Sequence, residues 1–390
     1  MTDFNQVINR KQTNSVKWDR IAATYQEEDL LPLWVADMDF FSPSFVTDAF
    51  RKFLDTGVLG YSEPSDSLYQ AIIDWQQIQH DFTVPKEDIL FSVGVVPSIA
   101  AAVQAYTEEG DAVLIHDPVY FPFSAVVKEN KRKLVRNPLK EENGCFVIDF
   151  AAMEQAIQEH QVKLFILCNP HNPGGRVWNA EELKQMGELC EKYGVILISD
   201  EIHQDLIFEP NQFTSFQNAY DAAGKFSIVL TAATKTFNLA GIKNSMVFIK
   251  DPELKQKFVA VQQKNHDNEI NTFGLIGTEA AYRGGAEWLA ELLDYLAENV
   301  RFVTDYFHEH LPQVNVMTPQ GTYLLWLDFS AYGMSDKELE DFFVHQAKVV
   351  LNTGISFGPK GTGHMRMNLA APKATIQEGL TRIKTAFDSL

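Results

Sequence analysis

The sequence predicts an α/β protein: a mostly parallel seven-stranded sheet covered by helices, with a smaller α+β domain attached. Two observations lead to this. Short β-rich runs alternate with helical patterns through the middle of the 390-residue chain, the pattern of a parallel sheet covered on both faces. Past about residue 285 the alternation stops, and a long amphipathic stretch leads into hairpin-like and helical segments. A chain of this length can bury a large core in one or two domains.

The expected strands, in order, are Ile89–Val93, Ala112–His116, Lys133–Arg136, Leu164–Cys168, Val195–Ser199, Ser227–Ala232 and Ser245–Ile249. Between the fourth and fifth lies a well-signalled helix. Asn179 offers an N-cap with Glu182 three residues on, and Leu183, Met186, Cys190 and Tyr193 keep a helical period until Gly194 stops it. Further on, a helix from Trp288 to about His310 precedes a hairpin-like stretch at Thr322–Phe329. A helix near Asp336–Lys348 and a closing helix from about Ala374 follow. The first fifty residues are too short to stand alone. The expected division is residues 1–50 packing with the small domain, 51–285 as the large domain and 286–390 as the small one.

Composition narrows the function. Lys and Arg number 33 against 52 Asp and Glu, a formal net charge of -19, which suits neither nucleic acid nor an anionic membrane surface. Three cysteines (Cys145, Cys168, Cys190) show no metal or redox spacing, and an odd number argues against a disulfide framework. His308-Glu309-His310 lacks the i, i+4 spacing of a zinc site, so no metal is expected. Met1 to Arg20 has no apolar stretch of the secretory type, and no run approaches a membrane span. A cytoplasmic location follows as the expectation.

Ligands of open parallel sheets bind beyond the carboxyl ends of the strands, so the residues that follow each strand matter most. Lys235 follows the apolar run Ile228–Thr231. A lysine ending a strand is ordinarily solvated, but one desolvated at a strand tip suits Schiff-base chemistry. After the first strand, Gly94-Val95-Val96-Pro97 opens a helix, offering free N–H groups and a positive dipole end for a phosphate. After the fourth, Asn169-Pro170-His171-Asn172-Pro173 forms a rigid loop that aims Asn172. After the fifth stands Asp200, a carboxylate at the sheet edge with no cation near it in sequence. Pyridoxal 5'-phosphate needs a lysine for its aldehyde, an acid on its ring nitrogen, a donor to its phenolic oxygen and a phosphate cup. Lys235, Asp200, Asn172 and the amides of Gly94, Val95 and Val96 supply one each.

With these residues in place the chain resembles the fold-type I pyridoxal-phosphate enzymes (the aspartate aminotransferase superfamily). Within them it is similar to the MalY/PatB-type branch of cystathionine β-lyases and C–S lyases. The blocks that carry the likeness include Lys17-Trp18-Asp19, Trp34-Val35-Ala36-Asp37-Met38-Asp39-Phe40, Gly60-Tyr61, Asn169-Pro170-His171-Asn172-Pro173, Asp200-Glu201-Ile202-His203, Lys235-Thr236-Phe237-Asn238 and Arg366-Met367-Asn368. The resemblance implies that Lys235 holds the cofactor and Asp200 pairs with the pyridine nitrogen. It also implies that Asn172 contacts the phenolic oxygen and Tyr120 stacks on the ring. Tyr61 would reach the phosphate from a neighbouring subunit, so a homodimer is expected, and Arg366 would clamp the substrate carboxylate.

Thr234 stands where serine is common and keeps a hydroxyl for the phosphate. His203 replaces the tyrosine of many aminotransferases, in keeping with the lyase branch. Lys243 reads equally as a phosphate contact or a solvated lysine. The expected reaction is β-elimination from an S-substituted cysteine such as cystathionine, giving a thiol, pyruvate and ammonia. An aminotransferase shares the early steps and is the nearest alternative; a cofactor-binding regulatory protein is the other.

Overall fold

The computed structural model describes residues 2–390. Seven strands form the main sheet: β1 Ile89–Ser92, β2 Ala112–Asp117, β3 Lys133–Pro138, β4 Leu164–Cys168, β5 Ile196–Asp200, β6 Ser227–Thr231 and β7 Ser245–Phe248. Their order across the sheet is β1-β7-β6-β5-β4-β2-β3. All neighbours run parallel except β7, which is antiparallel to both β1 and β6. The seven expected strands are all present, within a residue or two at their ends. One shift matters: Asp200 is the last residue of β5 rather than the first beyond it.

All five residues of β4 are buried, as a central parallel strand covered on both faces requires. Side-chain alternation divides the core. Val113, Ile115, Leu164 and Ile166 join the layer with Ile99 and Phe258, while Leu114, Phe165 and Leu167 pack with Met153, Leu183 and Met186. Helix α1 spans Asp66–His80, α2 Val95–Tyr106 and α3 Ala180–Tyr193. The Asn179–Glu182 capping box is complete, and Gly194 closes α3 in the left-handed region at φ 66°.

The C-terminal part centres on a four-stranded antiparallel sheet of β8 Asn315–Met317, β9 Leu324–Asp328, β10 Asn352–Thr353 and β11 His364–Asn368, in the order β8-β9-β11-β10. Helices α4 Ala286–His310 and α5 Lys373–Phe387 accompany it. Two expectations need correction here. The hairpin-like stretch is the single strand β9 paired with β8. The helix expected over Asp336–Lys348 is α-helical only to Asp341 and continues as a π-helical turn over Phe342–Gln346. Three consecutive buried residues, Phe342, Phe343 and Val344, are more than one α-helical stripe can face inward.

The two sheets are joined by close backbone contact. The Gly175 carbonyl accepts from the N–H groups of both Gln320 and Gly321, and Leu206 O accepts from Thr322 N. Gly175 has φ +64°, and a Cβ there would lie 2.4 Å from Pro319 Cβ, so both conformation and space demand glycine. At the N-terminal end, Leu31 and Pro32 pair in parallel with Val349 and Val350. Ser44–Leu54 instead packs as a helix against Thr272–Gly284. Among the described residues no helix is long and apolar enough to cross a membrane.

Candidate active site

The strand ends converge on one cavity of about 520 Å³. Its wall includes Gly94, Val95, Val96, Tyr120, Asn172, Asp200, His203, Thr234, Lys235, Lys243 and Arg366. The structure therefore brings together every residue singled out from the sequence except Tyr61. Tyr61 is fully exposed in the loop before α1 and lies outside this cavity.

Lys235 sits in a single helical turn, Ala233–Thr236, which interrupts the chain directly after β6. Its Nζ donates to Ala36 O at 2.6 Å. Burial, reinforced by the charge of Arg366, pulls the amine down to about 8, so near neutral pH a useful share of it is an unprotonated nucleophile. Asp200 is buried, and its side chain accepts one hydrogen bond, from Ile202 N at 3.2 Å. Burial pushes its carboxyl up to about 7; a positively charged N–H against it would restore the carboxylate. His203 is held well below its usual value by burial and by the charges of Lys235 and Arg366, so its imidazole is neutral.

Arg366 reaches the cavity from β11 and is buried. Nη1 donates to Asn172 Oδ1 at 2.9 Å, and Nη2 donates to Trp34 O at 2.8 Å and to Asn352 Oδ1 at 2.5 Å. The face of Phe357 lies 4.9 Å from the guanidinium. Burial lowers the group to about 10, which leaves it a cation at neutral pH.

Sequence reasoning assigned no role to the wall opposite. Residues 34–40 form an irregular strap whose carbonyls are taken by side chains from elsewhere. Asn368 Nδ2 donates to Val35 O and Asp37 O, Tyr323 OH to Ala36 O, and Asn238 Nδ2 to Met38 O and Phe40 O. Behind it, Arg10 and the fully buried Lys17 pair with Asp37 and Asp39. The Trp34–Phe40 block was legible as part of the family likeness, but only its two Asp residues hint at these contacts, because backbone acceptors leave no signal. Asn352 was likewise invisible as a lone amide.

These residues fit pyridoxal phosphate. Asp200 has no cation hydrogen-bonded to it, and His203 Nδ1 and Arg366 Nε are buried without partners. Gly94 is the N-cap of helix α2 and offers no side-chain cap, leaving the first N–H groups for a phosphate beside Thr234 and Lys243.

Fold and cavity together define the fold-type I class of the aminotransferase superfamily. Residues 28–383 match the family model of aminotransferase class I and II, and the chain belongs to that family. It is 43% identical over 385 residues to the cystathionine beta-lyase PatB of Bacillus subtilis (strain 168), covering 99% of this chain and 100% of the relative. Among solved structures it is similar to cystalysin from Treponema denticola, which contains pyridoxal 5'-phosphate. The TM-score is 0.97 at 35% identity, with 100% of this chain and 99% of the other covered. It is also similar to the PLP-bound C–S lyase of Staphylococcus hominis complexed with L-cycloserine, with a TM-score of 0.93, 32% identity and coverage of 99% and 98%.

Proposed function

We propose that this protein is a pyridoxal-phosphate-dependent carbon–sulfur β-lyase, cleaving L-cystathionine or a related S-substituted cysteine to a thiol, pyruvate and ammonia. The observation that carries the reading is the end-to-end 43% identity to a cystathionine beta-lyase, in a chain whose lysine, acid, amide and arginine all face one cavity.

When bound, the cofactor supplies an electron sink that stabilises negative charge at the substrate α-carbon. The chain's residues do the rest. Arg366 would take the substrate carboxylate and so orient the α-carbon for reaction. The Lys235 amine removes the α-proton, and Ala36 O, already its acceptor, orients it by holding one of its N–H bonds. Asp200 would pair with the cofactor's ring nitrogen and keep it protonated. The Cβ–S bond then breaks with its electron pair leaving on sulfur, which takes up a proton as the thiol, and water hydrolyses the released 2-aminoacrylate to pyruvate and ammonia. With the cofactor bound, Asn172 and His203 would direct hydrogen bonds at its ring oxygen, Tyr120 would pack against the ring, and Thr234 with the Gly94–Val96 amides would hold the phosphate. Lys243, on the cavity wall, adds a point charge there.

We further propose a homodimer in which Tyr61 completes the neighbouring site. In support, Val58, Leu59 and Tyr61 are all exposed on one loop, an apolar surface of the kind that marks an interface. The division at residues 50 and 285, and a cytoplasmic location in keeping with three free cysteines, belong to the same reading.

The test is to incubate the cofactor-loaded protein with L-cystathionine, without keto acid, and to follow thiol and pyruvate together. Equal amounts of both support the lyase. Conversion of the cofactor to its amine form with neither product would replace it with an aminotransferase.

A further inference from the structure

We propose that Asp205 is a positioning residue for Lys235: its carboxylate, gripped from behind by His80 and Trp75, holds Thr236 and so aims the lysine's helical turn into the cavity. The proposal rests on Lys235 carrying the reacting amine. Asp205 lies outside the cavity and has no place in the mechanism above. Its carboxylate is nevertheless buried, and both oxygens are engaged. Oδ1 accepts from Trp75 Nε1 at 3.0 Å and from His80 Nε2 at 2.7 Å, and Oδ2 accepts from Thr236 Oγ1 at 2.6 Å.

Thr236 is fully buried and directly follows Lys235. The turn that carries both is four residues long, and so short a helix cannot hold its shape by its own hydrogen bonds. The anchor must come from outside. Asn238, just beyond the turn, is tied to Met38 and Phe40, and the turn itself is tied to α1, which contributes Trp75 and, as its last residue, His80. Trp75 is itself locked, stacked on Tyr282 at 5.0 Å between ring centres and edge-on to Phe237 at 5.5 Å.

An apolar side chain would fill the space of Asp205 without the cost of burying a charge. What the carboxylate adds is direction. The bond to Oδ2 selects one rotamer of the β-branched Thr236 and so tethers the short turn that also carries Lys235. A reacting group displaced by about 1 Å loses on the order of a hundred-fold in rate, so a partial loosening of this anchor is worth roughly ten-fold.

The experiment follows exchange of the α-proton of L-alanine in D2O by the pyridoxal-phosphate-loaded protein, with alanine varied to separate kcat from KM. Thr236→Val keeps shape and removes the hydroxyl. It should lower exchange at saturating alanine about ten-fold with KM changed less than about two-fold, and Thr236→Ser should restore it. Asp205→Asn should show a similar loss, and the double variant no more than Asp205→Asn alone. Should Asp205→Asn fail to fold, the valine and serine variants decide. Wild-type exchange in Thr236→Val overturns the proposal. So does a lower Tm with exchange per folded site unchanged, which would make the contact purely structural. Exchange by the wild-type protein without thiol release from S-substituted cysteines would count against the lyase reading alone, because exchange needs no leaving group.

Discussion

Arg366 and Asn172 are 194 residues apart in sequence, and their side chains meet in a 2.9 Å hydrogen bond inside the cavity. The arginine donates to the amide oxygen, so the amide's own N–H groups are the ones offered to a ligand. One contact thus sets the direction of two groups, those proposed above as the carboxylate clamp and the donor to the ring oxygen.

Arg366→Ala should raise KM for amino-acid substrates about 10- to 100-fold, the worth of a charge-assisted hydrogen-bond pair. Arg366→Lys should recover little of this, since an ammonium lacks the planar fork. Steady-state kinetics on cystathionine with cofactor absorbance recorded alongside checks both, and an unchanged KM places the carboxylate elsewhere.

Lys235→Ala should reduce turnover by at least about a thousand-fold while the protein still binds pyridoxal phosphate non-covalently. Borohydride reduction followed by mass spectrometry should attach the cofactor to the wild-type chain at Lys235 and leave the variant unlabelled. Normal turnover in the variant would remove Lys235 from its role.

The amine of Lys235 is pulled from 10.5 down to about 8 by burial and by Arg366. Only the unprotonated amine attacks an aldehyde, so cofactor uptake by the apoprotein should accelerate as pH rises and level off above about 8. Stopped-flow absorbance across pH 6 to 10 reads this, and a rise continuing to the value of a free lysine would contradict it.

Asp200 shows the opposite sign. Its folded-state value is raised from 3.8 to about 7 by burial, so between those values the folded apoprotein holds a proton that the unfolded chain releases. The resulting loss of stability is absent below about pH 4, grows through the window and is complete above about 7. Asp200→Asn removes it and should make the apoprotein more heat-stable at pH 8 by a few kcal/mol, roughly. Added pyridoxal phosphate should reverse the ranking, because the asparagine cannot pair with a charged ring nitrogen. Thermal melts with and without cofactor decide the point.

Tyr61→Ala and Lys235→Ala should each be nearly inactive alone. If two chains share each site, mixing them after mild unfolding regenerates wild-type sites in the mixed dimers, about a quarter of all sites at random pairing. A mixture no more active than its parts would confine Tyr61 to its own chain.

Much of this was legible in the sequence because it was written in side-chain patterns. Apolar runs marked all seven strands, and Asn179, Glu182 and Gly194 marked one helix from cap to cap. Lys235, Asp200 and Asn172 were legible because ligands gather where strands end. The Trp34–Phe40 block carried part of the family likeness, yet nothing in it signalled the contacts of the strap, because its work is done by carbonyls that every residue possesses. Asn352 and Asp205 were equally silent, one a lone amide and the other a lone acid whose partners lie 31 and 130 residues away in the case of Thr236 and Trp75. The π-helical turn after Asp341 arose from three adjacent buried side chains, a competition between packing and period that a periodicity reading resolves the wrong way.

The bond from Arg366 to the carbonyl of Trp34 spans 332 residues, nearly the whole length of the polypeptide. During translation the lysine, the acid and the phosphate cup emerge long before the arginine does. On the role proposed for Arg366, a nascent chain still on the ribosome has no clamp for an amino acid until its last strands are made. Recognition of the substrate, so read, arrives only with the completed chain.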